Sequence, residues 1–134
     1  MKYLLDTNIC IKYLNGQSEA IKHNLELKKP SEITLCSIVK AELFYGAMKS
    51  SKPSHNLEKI RYFTDRFISL PFDDNAAQIY GNIKSYLEKK GLPIGPNDLL
   101  IASIAISQHI ILVTNNIGEF SRLDELKIEC WDKG

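Results

Sequence analysis

The chain has 134 residues, of which 44% are apolar and 25% charged, and its formal net charge at pH 7 is +1. This composition predicts one soluble globular domain spanning residues 1–134, and the near-neutral charge argues against general affinity for nucleic acids. No stretch approaches the ~20 apolar residues of a membrane span. The three cysteines, Cys10, Cys36 and Cys130, are odd in number and widely spaced, which predicts buried, reduced thiols. We therefore expect a cytoplasmic protein with no membrane association.

The first predicted strand ends in a carboxylate. Tyr3, Leu4 and Leu5 form an apolar run typical of a strand buried on both faces of a parallel sheet, and Asp6 follows at once. Open α/β sheets bind their ligands just beyond the carboxyl ends of their strands. The position of Asp6 therefore indicates a chemical role more than a packing role.

Helix and strand patterns alternate along the rest of the chain. Apolar spacing of three and four residues predicts helices over residues 9–14, 19–29, 38–48, 57–67, 74–90 and 97–108. Short β-prone runs predict strands over residues 33–36, 68–72, 110–113 and 128–131. Ser37 is a candidate N-cap of the third helix. The alternation predicts an α/β fold with a mainly parallel sheet, more helix than strand, and the strands ending at Leu5 and Val113 side by side at its centre.

Three acids that are distant in the sequence can meet at one edge of this sheet. Glu42 lies in mid-helix among apolar neighbours, and Asp98 lies in the first turn of the most apolar helix, on the side where Asp6 emerges. Each also has a purely structural explanation, because a carboxylate at a helix edge can reach water and an acid in a first turn stabilises its helix. Together, however, such carboxylates require a cation, and oxygen ligands suit Mg²⁺ or Mn²⁺. Such a site would activate water for attack on a phosphodiester.

Two further polar residues follow the strand that ends at Val113. Asn116 and Glu119 are both close enough along the chain to reach the same edge of the sheet. A turn or capping residue and a solvated loop carboxylate are the alternative explanations.

The chain resembles the PIN-domain ribonucleases of the VapC toxin type over nearly its full length. The motifs that carry the resemblance are Leu4-Leu5-Asp6-Thr7-Asn8, Ala41-Glu42-Leu43 with Gly46, Gly95-Pro96-Asn97-Asp98, and Val113-Thr114-Asn115-Asn116 before Glu119-Phe120. The resemblance implies a three-layer α/β/α sandwich with a mainly parallel central sheet. It also implies a Mg²⁺-dependent endoribonuclease, with Mn²⁺ as a possible substitute. The expected partners are RNA, a second copy of the chain and a cognate VapB-type antitoxin of a type II toxin–antitoxin system.

The resemblance also assigns roles to individual residues. Asp6, Glu42 and Asp98 match the three family acids and are the expected metal ligands. With them, Glu119 is the fourth expected catalytic residue, because it resembles the acid that precedes the phenylalanine. Many members carry an aspartate where this chain has Asn116.

Four other polar residues are expected to support the carboxylates by orienting them. Turn and capping roles explain these residues equally well. They are Thr7, Asn8, Thr114 and Asn116.

A basic stretch follows the helix of Glu42. Its members are Lys49, Lys52, His55 and Lys59. A solvated surface is the ordinary explanation of such a run. We predict that this stretch guides RNA phosphates towards the acids, as basic grooves do in proteins that bind single strands.

Two other functional classes compete with the nuclease. A non-enzymatic phospho-receiver also has a small parallel fold and an acidic Mg²⁺ pocket, but its late strand should end in lysine, whereas here Thr114, Asn115 and Asn116 follow Val113. An inactive or catalytically weak PIN scaffold that only binds antitoxin or RNA is the second alternative. The three matching acids argue against it, and the missing aspartate at Asn116 argues for it.

Overall fold

The computed structural model describes residues 2–132 of the chain. The predicted domain of residues 1–134 extends beyond this range by Met1, Lys133 and Gly134, which lie outside the described residues. The strands of the described part are β1 (Tyr3–Leu5), β2 (Ile33–Cys36), β3 (Ile68–Leu70), β4 (Ile111–Val113) and β5 (Ile128–Glu129). The helices are α1 (Thr7–Leu14), α2 (Glu19–Glu26), α3 (Ser37–Met48), α4 (Pro53–Thr64), α5 (Asp74–Lys90), α6 (Pro96–Gln108) and α7 (Ile117–Phe120), and a 3-10 turn covers Pro30–Glu32.

The five strands form one sheet in the order β3-β2-β1-β4-β5, and each neighbouring pair is parallel. Leu5 of β1 is paired with Val113 of β4, so the predicted adjacency of these two strands is confirmed. The predicted three-layer α/β/α sandwich is also confirmed, and helix exceeds strand as expected. Because all strands run the same way, their carboxyl ends meet at one edge of the sheet.

The core lies between the central strands and the helices that cover them. Leu4, Leu5, Leu112 and Val113 are fully excluded from solvent. Helix α6 is apolar on nearly all sides beyond its first turn, and its residues 101–106 are all buried, as expected for a helix without a polar face. No helix within residues 2–132 has both the length and the apolar character needed to cross a membrane.

Several local predictions differ from the structure. Ser37 is the first residue of α3 and not its cap, because β2 runs directly into the helix and Cys36 occupies the capping position. The fourth helix ends at Thr64, and Phe67 lies beyond it as a buried residue whose ring contacts Phe63 at 5.3 Å between centroids. The last strand is shorter than predicted. All three cysteines are free thiols, but Cys130 is only half-buried.

Candidate active site

Asp6 joins the central strand to the first helix. It follows β1 directly and caps α1, with its Oδ1 accepting a hydrogen bond of 2.8 Å from the Thr7 backbone N–H. Its Oδ2 accepts a second bond, of 2.7 Å, from the Thr114 hydroxyl at the end of β4. The carboxylate is 5% exposed. Burial raises the pKa of Asp6, and the two hydrogen bonds oppose that rise because they favour the charged form.

Glu42 approaches the same edge from α3. The side-chain hydroxyl of Thr7 donates a bond of 2.6 Å to Glu42 Oε1, so one threonine contacts Asp6 through its backbone and Glu42 through its side chain. The Asn97 amide, in the first turn of α6, donates to Glu42 Oε2 over 3.3 Å. Glu42 is thereby held between the β1–α1 junction and α6.

Asp98 and Glu119 are joined by one amide group. Asn116 Nδ2 lies 3.2 Å from Asp98 Oδ2 and 3.2 Å from Glu119 Oε2 and donates to both. Burial, followed by the nearby charges of Asp6 and Glu119, raises the pKa of Asp98 to about 6. The pKa of Glu119 is lowered, chiefly because the Gly95 backbone N–H donates a bond of 2.6 Å to its Oε1.

These contacts form one hydrogen-bonded network at the carboxyl edge of the sheet. The Asn116 backbone N–H donates to the Thr114 hydroxyl over 3.0 Å, which connects the Asp98 and Glu119 side of the network to Asp6. The structure thus brings together the four predicted acids and three of the predicted supporting residues. Those seven residues are Asp6, Glu42, Asp98, Glu119, Thr7, Thr114 and Asn116. Asn8 is exposed and lines the adjoining cleft.

The basic stretch divides between different surfaces. Lys49 lines an open cleft of about 580 Å³ together with Glu42, and Lys59 lines a smaller cavity of about 230 Å³ that also reaches Glu42. His55 lines a separate groove, which it shares with Lys59. Lys52 is exposed at the start of α4 and lines none of these three spaces.

The donor set fits a hard divalent cation. The hydrogen bonds to the four acids come from neutral hydroxyl and amide groups, and the one ion pair within residues 2–132 joins Lys12 to Asp132. Their negative charges therefore have no cationic side chain in direct contact. Oxygen ligands in a region of concentrated negative charge match the preference of Mg²⁺ or Mn²⁺. Within the described residues, no three acids are close enough together to form a ready-made metal cage.

Two residues of the network carried no assigned role in the sequence prediction. Asn97 donates to Glu42, and the Gly95 N–H donates to Glu119. Both adjoin Asp98 at the start of α6, where backbone N–H groups lack helical partners. Their place at the start of α6 could have been recognised from the sequence. An amide side chain and an unpaired backbone N–H close to a candidate metal ligand can each donate a hydrogen bond to a second carboxylate.

The chain is similar to known proteins over its whole length. The PIN domain family matches residues 3–126. Ribonuclease VapC2 of Rickettsia felis is 47% identical over 134 residues, covering 99% of this chain and 100% of the relative. The tRNA(fMet)-specific endonuclease VapC of Salmonella typhimurium is 40% identical and covers 98% of each chain.

The fold of the chain is also similar to that of a protein in a solved structure. The crystal structure of VapBC2 from Rickettsia felis, bound to a DNA fragment from its promoter, contains a chain that matches with a TM-score of 0.92 and 45% identity. The match covers 98% of this chain and 100% of that one.

Proposed function

We propose that this chain is a metal-dependent endoribonuclease and the toxin of a type II toxin–antitoxin pair. The proposal follows from its family, because the chain belongs to the PIN-domain family and within it to the VapC ribonucleases. The observation that carries the proposal is the cluster of Asp6, Glu42, Asp98 and Glu119, whose direct hydrogen-bond donors are all neutral. Such a cluster holds a cation more readily than it serves as an inert part of the fold.

The four acids divide between two roles in the proposed reaction. Asp6, Glu42 and Asp98 would hold the divalent cation. When bound, that cation supplies Lewis-acid activation of water and neutralises charge on the leaving oxygen. The Gly95 N–H lowers the pKa of Glu119 and so favours its charged form, and we assign this carboxylate to orienting the attacking water.

The neutral residues fix the acids in position. Thr114 and Thr7 orient Asp6 and Glu42, and Asn116 holds Asp98 beside Glu119. Asn8 lines the cleft that leads to Glu42 and is assigned a supporting role there. In metalloenzymes, partners of this kind set the orientation of the ligands.

The substrate and the partners follow from the family. We propose single-stranded or loop RNA as the substrate, with tRNA as the first to test, since one relative is named a tRNA(fMet)-specific endonuclease. Lys49 and Lys59 line spaces that reach Glu42 and are assigned to phosphate contact, with Lys52 and His55 contributing at longer range. A VapB-type antitoxin and a second copy of the chain complete the proposed assembly. Mg²⁺ is the proposed ion, and the free thiols fit a cytoplasmic location.

RNA cleavage in the presence and absence of metal tests the function. The purified chain should cleave tRNA with Mg²⁺, more weakly or equally with Mn²⁺, and not at all with EDTA. Asp6→Asn keeps an oxygen for the Thr7 N–H but removes the charge, so it should abolish cleavage. Asp73→Asn is the matched control, because Asp73 also caps a helix, α5, by accepting a bond of 2.9 Å from the Ala76 N–H.

The possible results separate the competing functions. Cleavage that persists in EDTA or in Asp6→Asn would contradict the proposed mechanism. A chain that binds a VapB-type antitoxin but cleaves none of the RNAs offered would be the inactive scaffold.

A further inference from the structure

Gly46 occupies a helix position that neither packing nor backbone conformation explains. It lies inside α3, where glycine destabilises a helix relative to alanine. A Cβ added to Gly46 would meet no protein atom within 4 Å, and its φ is not positive. Alanine would therefore fit at this position and stabilise the helix.

The location of Gly46 supplies a reason for the missing side chain. Gly46 lines both spaces that reach Glu42, the cleft of about 580 Å³ and the cavity of about 230 Å³. Tyr45 and Gly46 lie three and four residues after Glu42, and Lys49 lies four and three residues after them, so all four share one face of α3. At Gly46 the backbone of the helix is bare towards this open space.

Tyr45 and Lys49 stand on either side of Gly46 along the chain and line the larger cleft with it. The Tyr45 ring is 66% exposed, although large aromatic side chains are usually buried at least in part. The Lys49 ammonium group lies 5.1 Å from the centre of that ring. An exposed ring beside a cation is the combination with which proteins bind single-stranded nucleic acids, because bases stack on the ring and the cation contacts phosphate.

We propose that this face of α3 carries the RNA strand to the carboxylates, with a base stacked on Tyr45, the sugar–phosphate backbone crossing Gly46, and Lys49 contacting a phosphate. The inference rests on the proposed ribonuclease function and names the residues that hold its substrate. The cleft favours RNA because it reaches the carboxylate of Glu42 and is also lined by the Lys49 ammonium group and by Thr7 and Asn97, which both donate to Glu42. A glycine is required where a ribose–phosphate chain lies against the helix backbone.

The test compares two glycines in equivalent surroundings. Gly81 lies inside α5, is exposed, and a Cβ added to it would also meet no protein atom within 4 Å. Both Gly46→Ala and Gly81→Ala should raise the melting temperature, since each replaces a helical glycine at an open position. Only Gly46→Ala should weaken the binding of a single-stranded RNA of about 12 nucleotides, a length within the usual site size. Binding is measured in the Asp6→Asn background, so that the RNA is not cut.

Tyr45 provides an independent arm of the same experiment. Tyr45→Ala should weaken RNA binding by about 5- to 150-fold, the range of one base–aromatic stack, while Tyr45→Phe should bind like the parent. If Gly46→Ala and Tyr45→Ala bind RNA as tightly as Gly81→Ala, the inference is overturned. The inference is also overturned if these variants leave RNA binding unchanged but alter the oligomeric mass measured by sedimentation. That result would show that this face of α3 is a contact between protein chains.

Cleavage by the chain with Asp6 intact separates this inference from the proposed function. If Gly46→Ala cleaves RNA with unchanged kcat/KM, the ribonuclease proposal stands and the proposed strand path fails. If the unmodified chain neither binds nor cleaves RNA, both fail together.

Discussion

Thr114 donates a hydrogen bond of 2.7 Å to Asp6 Oδ2, although 108 positions separate the two residues in the sequence. The same hydroxyl accepts a bond from the Asn116 N–H, so its single hydrogen is committed to Asp6. Thr114 is fully buried and directly follows β4, just as Asp6 directly follows the adjacent β1. The orientation of Asp6 therefore depends on the register between the two strands.

Removing this hydroxyl should damage both stability and activity. In Thr114→Val the Asp6 carboxylate loses a donor and the Asn116 N–H loses its acceptor, so we expect a loss of about 1–3 kcal/mol in the free energy of unfolding. RNA cleavage should fall about 10- to 100-fold, because Asp6 is no longer held. Urea unfolding and cleavage rates measure the two effects.

Thr34 provides the matched control. It is also fully buried in a strand, and its hydroxyl donates to the Tyr3 backbone oxygen over 2.8 Å, away from the acids. Thr34→Val should lose about 0.5–1.5 kcal/mol and retain cleavage. Equal loss of cleavage in the two variants would show that destabilisation alone explains the effect.

Because the pKa of Asp98 is raised, we expect the stability of the metal-free chain to depend on pH. The folded chain holds the Asp98 proton up to a pKa of about 6, whereas the ordinary value is 3.8. Since the folded state binds more protons between these values, its stability falls as pH rises from about 4 to 6. Asp98→Asn removes that charge and should stabilise the metal-free chain by about 1 kcal/mol above pH 6, and by nothing at pH 4.

The control for this pH effect is another acid in a first helical turn. Asp74 begins α5, is exposed and lies outside the carboxylate network. Asp74→Asn should lose a few tenths of a kcal/mol throughout this range, because only the helix dipole is affected. Thermal melts in EDTA at several pH values make the comparison. A stability gain for Asp98→Asn that does not change with pH would contradict the account.

The elements that were predictable are those with strong local patterns. Strand β4 is apolar throughout and helix α6 is almost wholly apolar after its first turn. Strands β1 and β4 were predicted to be neighbours because the most hydrophobic strands belong at the centre of the sheet. Helix α7 has only four residues, which is too few to show a helical period, so the sequence pattern did not predict it. The full strand order could not be read, because hydrophobicity does not distinguish the remaining neighbours.

The sequence predicted the acids of the candidate site but not the hydrogen bonds that hold them in place. Asp6, Glu42 and Asp98 were identified from strand ends, helix faces and family motifs. The bonds from Asn97 to Glu42 and from Gly95 to Glu119 join residues 55 and 24 positions apart. Such contacts depend on how the helices pack against one another, and the apolar periodicity of the sequence does not predict that packing.

Within the basic stretch, the two lysines that line spaces reaching Glu42 should contribute most to RNA binding. Lys49→Gln and Lys59→Gln should each reduce the slope of log K against log salt by about 0.7, the value for one phosphate of a single strand. Lys84→Gln is the control, since the Lys84 ammonium lies 5.5 Å from the Tyr80 ring on α5, much as Lys49 lies over Tyr45. Unchanged cleavage and salt dependence in the Lys49 and Lys59 variants would refute the assignment.

The hydrogen-bond network predicts what an aspartate would do at position 116, where Asn116 donates to two carboxylates. Asn116→Asp removes the amide that donates to both Asp98 and Glu119 and adds a negative charge between them. Without metal, we expect a loss of about 1–3 kcal/mol in unfolding free energy, since an unpaired charge replaces a donor. With Mg²⁺ the variant should gain more stability than the parent, because the added carboxylate strengthens binding to the folded state.

Asn115→Asp is the control for Asn116→Asp, because the neighbouring Asn115 also donates to a carboxylate, that of Asp132, over 3.0 Å. It should be destabilised without metal but gain no more from Mg²⁺ than the parent does. Melting temperatures of the three proteins across a Mg²⁺ titration measure both effects. If Mg²⁺ stabilises Asn116→Asp no more than Asn115→Asp, then Asn116 does not border the metal and the proposed ligand set is wrong.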